Sequence, residues 1–576
     1  MGLRCQSERR ALTMAESTRA LFFLLLAACA RAASPFAFSN TLGDHAILQN
    51  PIIIHGTGAA GSAVVTTVTS VPSVTLNTTV GVDGIWRQQL PAMEEGTSAF
   101  SITSRSGGSN IMLHDLLCGR TILCSGQSNI DTVTVSKALN ATAELAGCAD
   151  WPYVRFMKTA RVNAWDGPQT DLPTPAITWS VPSAASCHDF SATCFFSGRE
   201  LFRQLGGSTP VGIVQSAAGG TAVRNWVPTD GLARCSQPWA GQQPYGAGPY
   251  THSTLFNGMI APFGTGPTAF SVVLWDQAES DSFPQTNPGY YACQTVAHIL
   301  SWRRLLASPE LPWVFVHLQP YTGSESAASE VQIDFGALLG SPLAELRHSQ
   351  LAALVLPHVG YASALDLGDP TSPLGNVHFR NKAVLAPRIV SATLSVAFGK
   401  EGGTGGVFSY PPPSFVVQEP ASSSACSMNV TFANIDGGAT SRVALGATPN
   451  PAVPGNTSAV CYPTLPSAKP YGNATCAGFE LLCSTPEVPH LPGNVALWVP
   501  ADATLAADGT SLTLTAKHGT AAAGLVARGS RYAWADFPQA TLFASDDDGA
   551  LGLPILPWNQ ALTCSGQTPL PKGAVC

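Results

Sequence analysis

The apolar run Thr121-Ile122-Leu123 passes without a break into Cys124-Ser125-Gly126-Gln127-Ser128-Asn129, and a stretch with helix-like spacing follows. A buried strand that turns at once into a helix is the building unit of open α/β sheets. Its carboxyl end lifts a side chain into the crevice above the sheet. Ser128 occupies that place, with its backbone N–H at the start of the next helix. The spacing is not the Gly-x-Ser-x-Gly of a nucleophile elbow, and a lone serine in such a turn is more often a helix cap. What lies downstream decides between the two.

Two later segments repeat the pattern, and a third polar cluster lies in a loop before an expected helix. Residues 209–214 read as a buried strand running into Ala217-Ala218-Gly219-Gly220-Thr221, with Arg224 and Trp226 shortly after. Residues 270–275 read as another, ending in Asp276-Gln277-Ala278-Glu279-Ser280-Asp281. Asp366-Leu367-Gly368-Asp369 then precedes Asn376-Val377-His378 and an amphipathic stretch around Lys382, Val384, Leu385 and Arg388. In an open α/β sheet such strand-end clusters converge on one edge.

The period of the apolar residues divides the chain. From 34 to 113 there are short strands (52–54, 63–68, 85–90, 100–103) with Gly-rich turns and no helix pattern, which reads as a β-sandwich. From 114 to 400 strands alternate with helices, the clearest at 190–204, 290–306 and 342–354, with another buried strand at 313–318. That alternation predicts a mostly parallel sheet wrapped by helices. The Gly-rich run at 401–406 and Pro411-Pro412-Pro413 then punctuate the chain, and 401–576 returns to β character, with strands at 495–499 and 511–516. Whether this last region packs on the α/β domain or joins the N-terminal sandwich is left open by the sequence.

These motifs together resemble the sialate O-acetylesterase family of SGNH-type carbohydrate esterases. The family's Gly-Gln-Ser-Asn turn, Gly-Gly-Thr loop, Trp-x-Gln-Gly-Glu-Ser segment and late histidine are matched in order by residues 126–129, 219–221, 275–280 and His378. Weaker echoes are Phe38-Ser39-Asn40, Ile47-Leu48-Gln49, Asp83-Gly84-Ile85-Trp86, residues 257–262 and Arg531-Tyr532-Ala533-Trp534. The family's Met is Ile130 here, its Gly is Ala278, its Asn is Asp281 and its Pro is Phe379. If position 278 requires a positive φ, alanine there costs about 1 kcal/mol. The resemblance implies an SGNH-hydrolase-like, flavodoxin-type three-layer sheet flanked by β-sandwich-like N-terminal and C-terminal regions. It also implies a secreted, cofactor-independent serine esterase that removes O-acetyl groups from carbohydrate, sialic acids foremost, through an acetyl-serine intermediate. An acetylxylan or other polysaccharide esterase is the alternative, and a non-catalytic glycan-binding protein with a decayed site is a second.

In that reading Ser128 is the nucleophile and His378 its base, since a serine hydroxyl needs a proton acceptor within hydrogen-bond reach. An acid must orient the imidazole, and many SGNH enzymes place it three residues earlier, where this chain has Gly375. Asp369, Glu279 and Asp366 are the candidates, in that order. The expected oxyanion donors are the backbone N–H groups of Ser128 and Gly220 and the Gln277 amide. Gln127, Asn129, Thr221 and Arg224 are expected around the substrate, Arg224 as partner for a sialate carboxylate. For Trp226 and Trp275 a core role outweighs sugar stacking.

Composition bounds the partners. Net charge is −7 with 11% charged residues and no basic patch, which argues against nucleic acid and anionic membranes. Arg19, an apolar run over residues 20–30 and Ala30-Arg31-Ala32 predict a signal peptide over 1–32, with Met14 an alternative start. No other run reaches the ~18 apolar residues of a membrane span. Sequons at Asn77, Asn140, Asn429, Asn456 and Asn473 point to the secretory pathway, extracellular or lysosomal. Of the fifteen cysteines, Cys5 and Cys29 fall in the leader, which leaves an odd number and at least one free thiol. Short spacing favours pairing of Cys187 with Cys194 and of Cys476 with Cys483. No zinc motif is present, and Asp546-Asp547-Asp548-Gly549 reads as a solvated turn rather than a calcium loop. Oligomeric state is not legible.

Overall fold

The computed structural model describes residues 35–69, 73–164, 166–235, 252–282, 288–321, 342–369 and 371–399. Beyond these it describes 415–421, 425–433, 442–445, 479–484, 497–516, 525–532, 542–545, 551–554 and 558–561. The expected leader, Asn456, Asn473, Cys476 and the Asp546–Asp548 run lie outside them.

Seven strands form the central sheet: β1 (Arg120–Gly126), β2 (Val154–Lys158), β3 (Ile177–Ser180), β4 (Val211–Ala217), β5 (Val272–Asp276), β6 (Trp313–His317) and β7 (Val359–Ser363). Their order is β3-β2-β4-β1-β5-β6-β7, parallel throughout except for β3 on the edge. Every residue of β4, β5, β6 and β7 is buried, the mark of strands covered on both faces. Neighbouring side chains of β1 point to opposite layers. Ile122 and Cys124 enter the core under helices α2 (Ala192–Gln204) and α5 (Lys382–Phe398). Leu123 enters the one under α3 (Pro288–Leu305) and α4 (Pro342–Gln350). The three-layer α/β fold implied by the motifs is therefore present.

The first connections from β1 lead to the β2 and β4 side, and the later ones to β5, β6 and β7. β1 is thus the point where the winding reverses, and its carboxyl end opens onto the crevice where such sheets bind ligands. The turn into α1 (Ser128–Asp131) lies there.

The N-terminal strands form a three-stranded and a five-stranded sheet whose inner residues, Ile54 and Trp86 from one and Val64, Val68 and Ile102 from the other, share one core. Its strand Ser109–Cys118 runs five residues past the boundary expected at 113 and leads directly into β1. Gln49 docks this unit on the amino ends of the parallel strands, because its Oε1 accepts the Thr121 N–H at 2.8 Å and the Ser271 hydroxyl at 2.7 Å. That is the edge opposite the crevice.

The C-terminal strands form a seven-stranded and a three-stranded sheet. Leu365, just after β7, is fully buried among Met428, Leu481 and Leu514 of that region, so it packs on the α/β domain beneath the loop that carries His378.

Two expected disulfides are corrected. Cys194 pairs with Cys124 of β1, Cys187 with Cys148, and Cys483 with Cys426. Cys187 and Cys194 lie on successive helices, each turned toward its own neighbour in the core, so proximity in sequence does not bring them together. Cys235 joins Cys293, and Cys118 is a buried free thiol whose pKa burial raises to about 11. Asn77, Asn140 and Asn429 are exposed.

Candidate active site

β1 and β5 close on each other at their carboxyl ends. Gly126 has φ +139°, and a Cβ there would fall on the Asp276 carbonyl, which also accepts the Gln127 N–H at 2.9 Å. Only glycine allows this approach. The chain then turns into α1, and of residues 121–130 Ser128 is the single one that keeps partial exposure.

The loop after β4 lies alongside. A Cβ on Gly219 would come 3.4 Å from Cβ of Ser128, while one on Gly220, at φ +72° and exposed, would meet nothing within 4 Å. Gly220 thus faces open space. Among the described residues its N–H and that of Ser128 have no acceptor, as donors awaiting an oxyanion would.

Gln277 differs from expectation. Its Nε2 donates to the Thr221 carbonyl at 3.1 Å and to Asp281 Oδ2 at 2.6 Å, so both amide hydrogens are engaged in bracing the glycine loop. Asp281 Oδ2 also accepts the Val223 N–H at 2.8 Å, and burial raises this carboxyl to about 6. Thr221 Oγ1 donates to the Ala218 carbonyl at 2.7 Å and accepts from Trp226 Nε1 at 3.0 Å. Trp226 and Trp275 are core residues, packed edge to face 5.8 Å apart.

Glu279 lies beneath the Ser128 turn with three amides on its carboxylate. Gln127 Nε2 donates to Oε2 at 2.6 Å, Asn129 Nδ2 donates to Oε1, and Gln319 Nε2 donates to Oε1 at 3.0 Å. The Asn129 and Gln319 amides each also donate to the Val377 carbonyl at 3.0 Å. Asn129 Oδ1 accepts from Lys382 Nζ at 2.9 Å. Lys382 is fully buried, 3.3 Å above the Phe379 ring, with Asp276 and Glu279 as counter-charges. Burial lowers the Lys382 pKa against the pull of both carboxylates, and burial raises that of Asp276.

His378 is half-buried on the loop before α5, and its Nδ1 lies 2.6 Å from the Leu374 carbonyl. A carbonyl only accepts, so Nδ1 carries the hydrogen and Nε2 is left with the lone pair. The three candidate acids are engaged elsewhere. Asp369 takes a two-pronged bond from Arg380, Nε to Oδ2 at 2.6 Å and Nη2 to Oδ1 at 3.0 Å. Asp366 does the same for Arg388 at 2.6 and 2.9 Å, and Glu279 holds its amides. Gln127, Asn129 and Thr221 are buried, so they reach substrate only through the loops they brace. Arg224 is half-buried. Gln319 was not singled out from sequence. It follows a strand end, as the other site residues do, but belongs to no motif.

An open doubly wound sheet that presents a serine at its reversal point, beside a glycine loop and a histidine loop, is that of an SGNH-type carboxylic ester hydrolase. Residues 119–385 match the family model described as carbohydrate esterase, sialic acid-specific acetylesterase. A sialate O-acetylesterase of Rattus norvegicus is 28% identical over 442 residues, covering 67% of this chain and 78% of the relative. That of Homo sapiens is 28% identical over 411 residues, covering 66% and 75%. The fold is shared with a carbohydrate acetylesterase from Xanthomonas citri at TM-score 0.69 and 23% identity, over 91% of this chain and 99% of that one.

Proposed function

We propose that the protein removes O-acetyl groups from sialic acids through an acetyl-Ser128 intermediate. The observation that carries this reading is the bond from Asn129 Nδ2 to the Val377 carbonyl at 3.0 Å. It joins the neighbour of the nucleophile to the neighbour of the base. His378 Nε2 takes the Ser128 proton as Oγ attacks the acetyl carbonyl, and the oxyanion is met by the N–H groups of Ser128 and Gly220. Collapse expels the sugar alkoxide, which His378 protonates. Water activated by the same imidazole then attacks the acetyl-serine, releasing acetate and the free hydroxyl.

Two guanidinium groups support an acidic sugar in a chain of net charge −7. Arg161 is exposed and donates to the Gly219 carbonyl at 3.3 Å, beside Ser128, and Arg224 follows the glycine loop. Either suits a substrate carboxylate. Four disulfides among the described residues and three exposed sequons support passage through an oxidising secretory route, and no helix among the described residues is long and apolar enough to cross a membrane.

The test is acetate release, measured side by side on O-acetyl sialosides and acetylated xylans, for wild type and Ser128→Ala. Faster release from sialosides, lost at least about a thousandfold in the variant, is expected. Preference for xylan would sink the sialate assignment, and full activity of the variant would sink the nucleophile.

A further inference from the structure

We propose that Gln319, directly, and Lys382, through Asn129, are positioning residues that keep His378 aligned with Ser128 by clamping the Val377 carbonyl, a task that falls to a carboxylate in a Ser-His-acid triad. The proposal rests on the assignment of Ser128 and His378 made above. His378 is oriented by a carbonyl of its own loop, so the imidazole is placed only as well as that loop is placed. The loop is gripped one peptide before the histidine, where Val377 O accepts from two side-chain amides that rise from elements on either side of β5.

An amide can bind either way round, and buried charges decide the direction here. Lys382 only donates, so it draws Asn129 Oδ1 toward itself and turns the Asn129 NH2 to Glu279 and Val377. Glu279 only accepts, so it fixes the Gln319 NH2 in the same sense. Gln319 Oε1 is then buried with no donor among the described residues, an arrangement that persists only where the other end of the amide is strongly held. The backbone at 318–319 is itself anchored, because Arg347 donates from Nε to the Leu318 carbonyl at 2.9 Å and from Nη2 to the Gln319 carbonyl at 3.0 Å. Lys382 is the first residue of α5 and rests on Phe379, so the clamp spans the β1 turn, the end of β6 and the start of α5.

The test is a double-mutant cycle of Gln319→Met with His378→Ala, using 4-nitrophenyl acetate, Ser128→Ala as the blank and thermal unfolding for each protein. Gln319→Met keeps the volume and removes the donor. Alone it is expected to lower kcat about ten- to a hundredfold with little change in KM, as displacement of a base by about an ångström would. In the His378→Ala background it is expected to cost nothing further, since a residue acting only through the imidazole has no effect once the imidazole is gone. An equal loss in both backgrounds, or none in either, overturns the clamp. Should Gln319→Met not fold, the same cycle with Gln319→Asn, which keeps the amide but shortens its reach, is read in the same way. A His378→Ala variant that loses less than about tenfold would instead remove the base assignment, and the clamp with it.

Discussion

Ala278 stands at φ +152° and ψ −25°, a region that only glycine visits without strain, between Gln277 and Glu279. The strain of such a conformation is about 1–3 kcal/mol for a residue with a Cβ. It persists because both neighbours are fixed, Gln277 by Thr221 and Asp281 and Glu279 by its three amides. Ala278→Gly loses one buried methyl, about 0.8 kcal/mol, and chain entropy worth about 0.5–1 kcal/mol, together about 1.5 kcal/mol, which is less than the upper part of that strain. The substitution should therefore raise the free energy of unfolding by about 1 kcal/mol in a denaturant titration and leave kcat at or above its starting value. A loss of stability would mean that the neighbours accept alanine here without strain.

At the level of elements, the loop between β7 and α5 is the part that has to be held in shape. Asp369 is fully buried and binds Arg380 through both oxygens, tying the two ends of the segment that contains His378. As a loop brace, Asp369→Asn and Arg380→Met should each lower stability by about 3 kcal/mol and reduce kcat by a similar factor, and the double variant should be little worse than either. A triad acid behaves differently. Asp369→Asn would then cost about ten-thousandfold in kcat while Arg380→Met cost far less. Steady-state kinetics of the three variants, with denaturant titrations beside them, separate the two roles.

For the molecule as a whole, three buried histidines set the response to acid. Burial holds His55 at about 4 and both His298 and His317 at about 3, against 6.5 in the unfolded chain. Below pH 6.5 the unfolded chain therefore binds protons that the folded one refuses, and stability falls as pH drops through that window. At pH 5 each histidine costs about 2 kcal/mol. Asp281 works in the opposite sense. Raised from 3.8 to about 6, it is protonated first in the folded state and gives back about 1 kcal/mol at pH 5, and Asp276, raised to about 7, gives back about 2 more, together less than the three histidines cost. The Tm should thus be several degrees lower at pH 5 than at pH 7, and His298→Phe, in a cage of Trp275, Trp302 and Trp313, should flatten the acid limb. A Tm equal or higher at pH 5 would contradict this balance.

The strand ends were legible because apolar runs broken by short polar clusters are local signals. Residues 209–214 and 270–275 predicted β4 and β5 to within three residues, and the polar clusters after them mark the loops that carry Gly220 and Glu279. The helices at 192–204 and 288–305 were legible for the same reason, through their spacing. What each side chain faces was not. Asp369 meets Arg380 rather than the imidazole, Glu279 meets amides up to 152 residues away, and Cys194 meets Cys124 across 70 residues rather than Cys187. The C-terminal sheets settle on Leu365, and Gln319 joins the site without a motif. Period and composition determine which segments become strands and helices, and the chain order of the strands brings their ends to one edge. The pairing of a particular carboxylate, amide or thiol depends on direction and distance across the assembled layers, and only the tertiary structure fixes those.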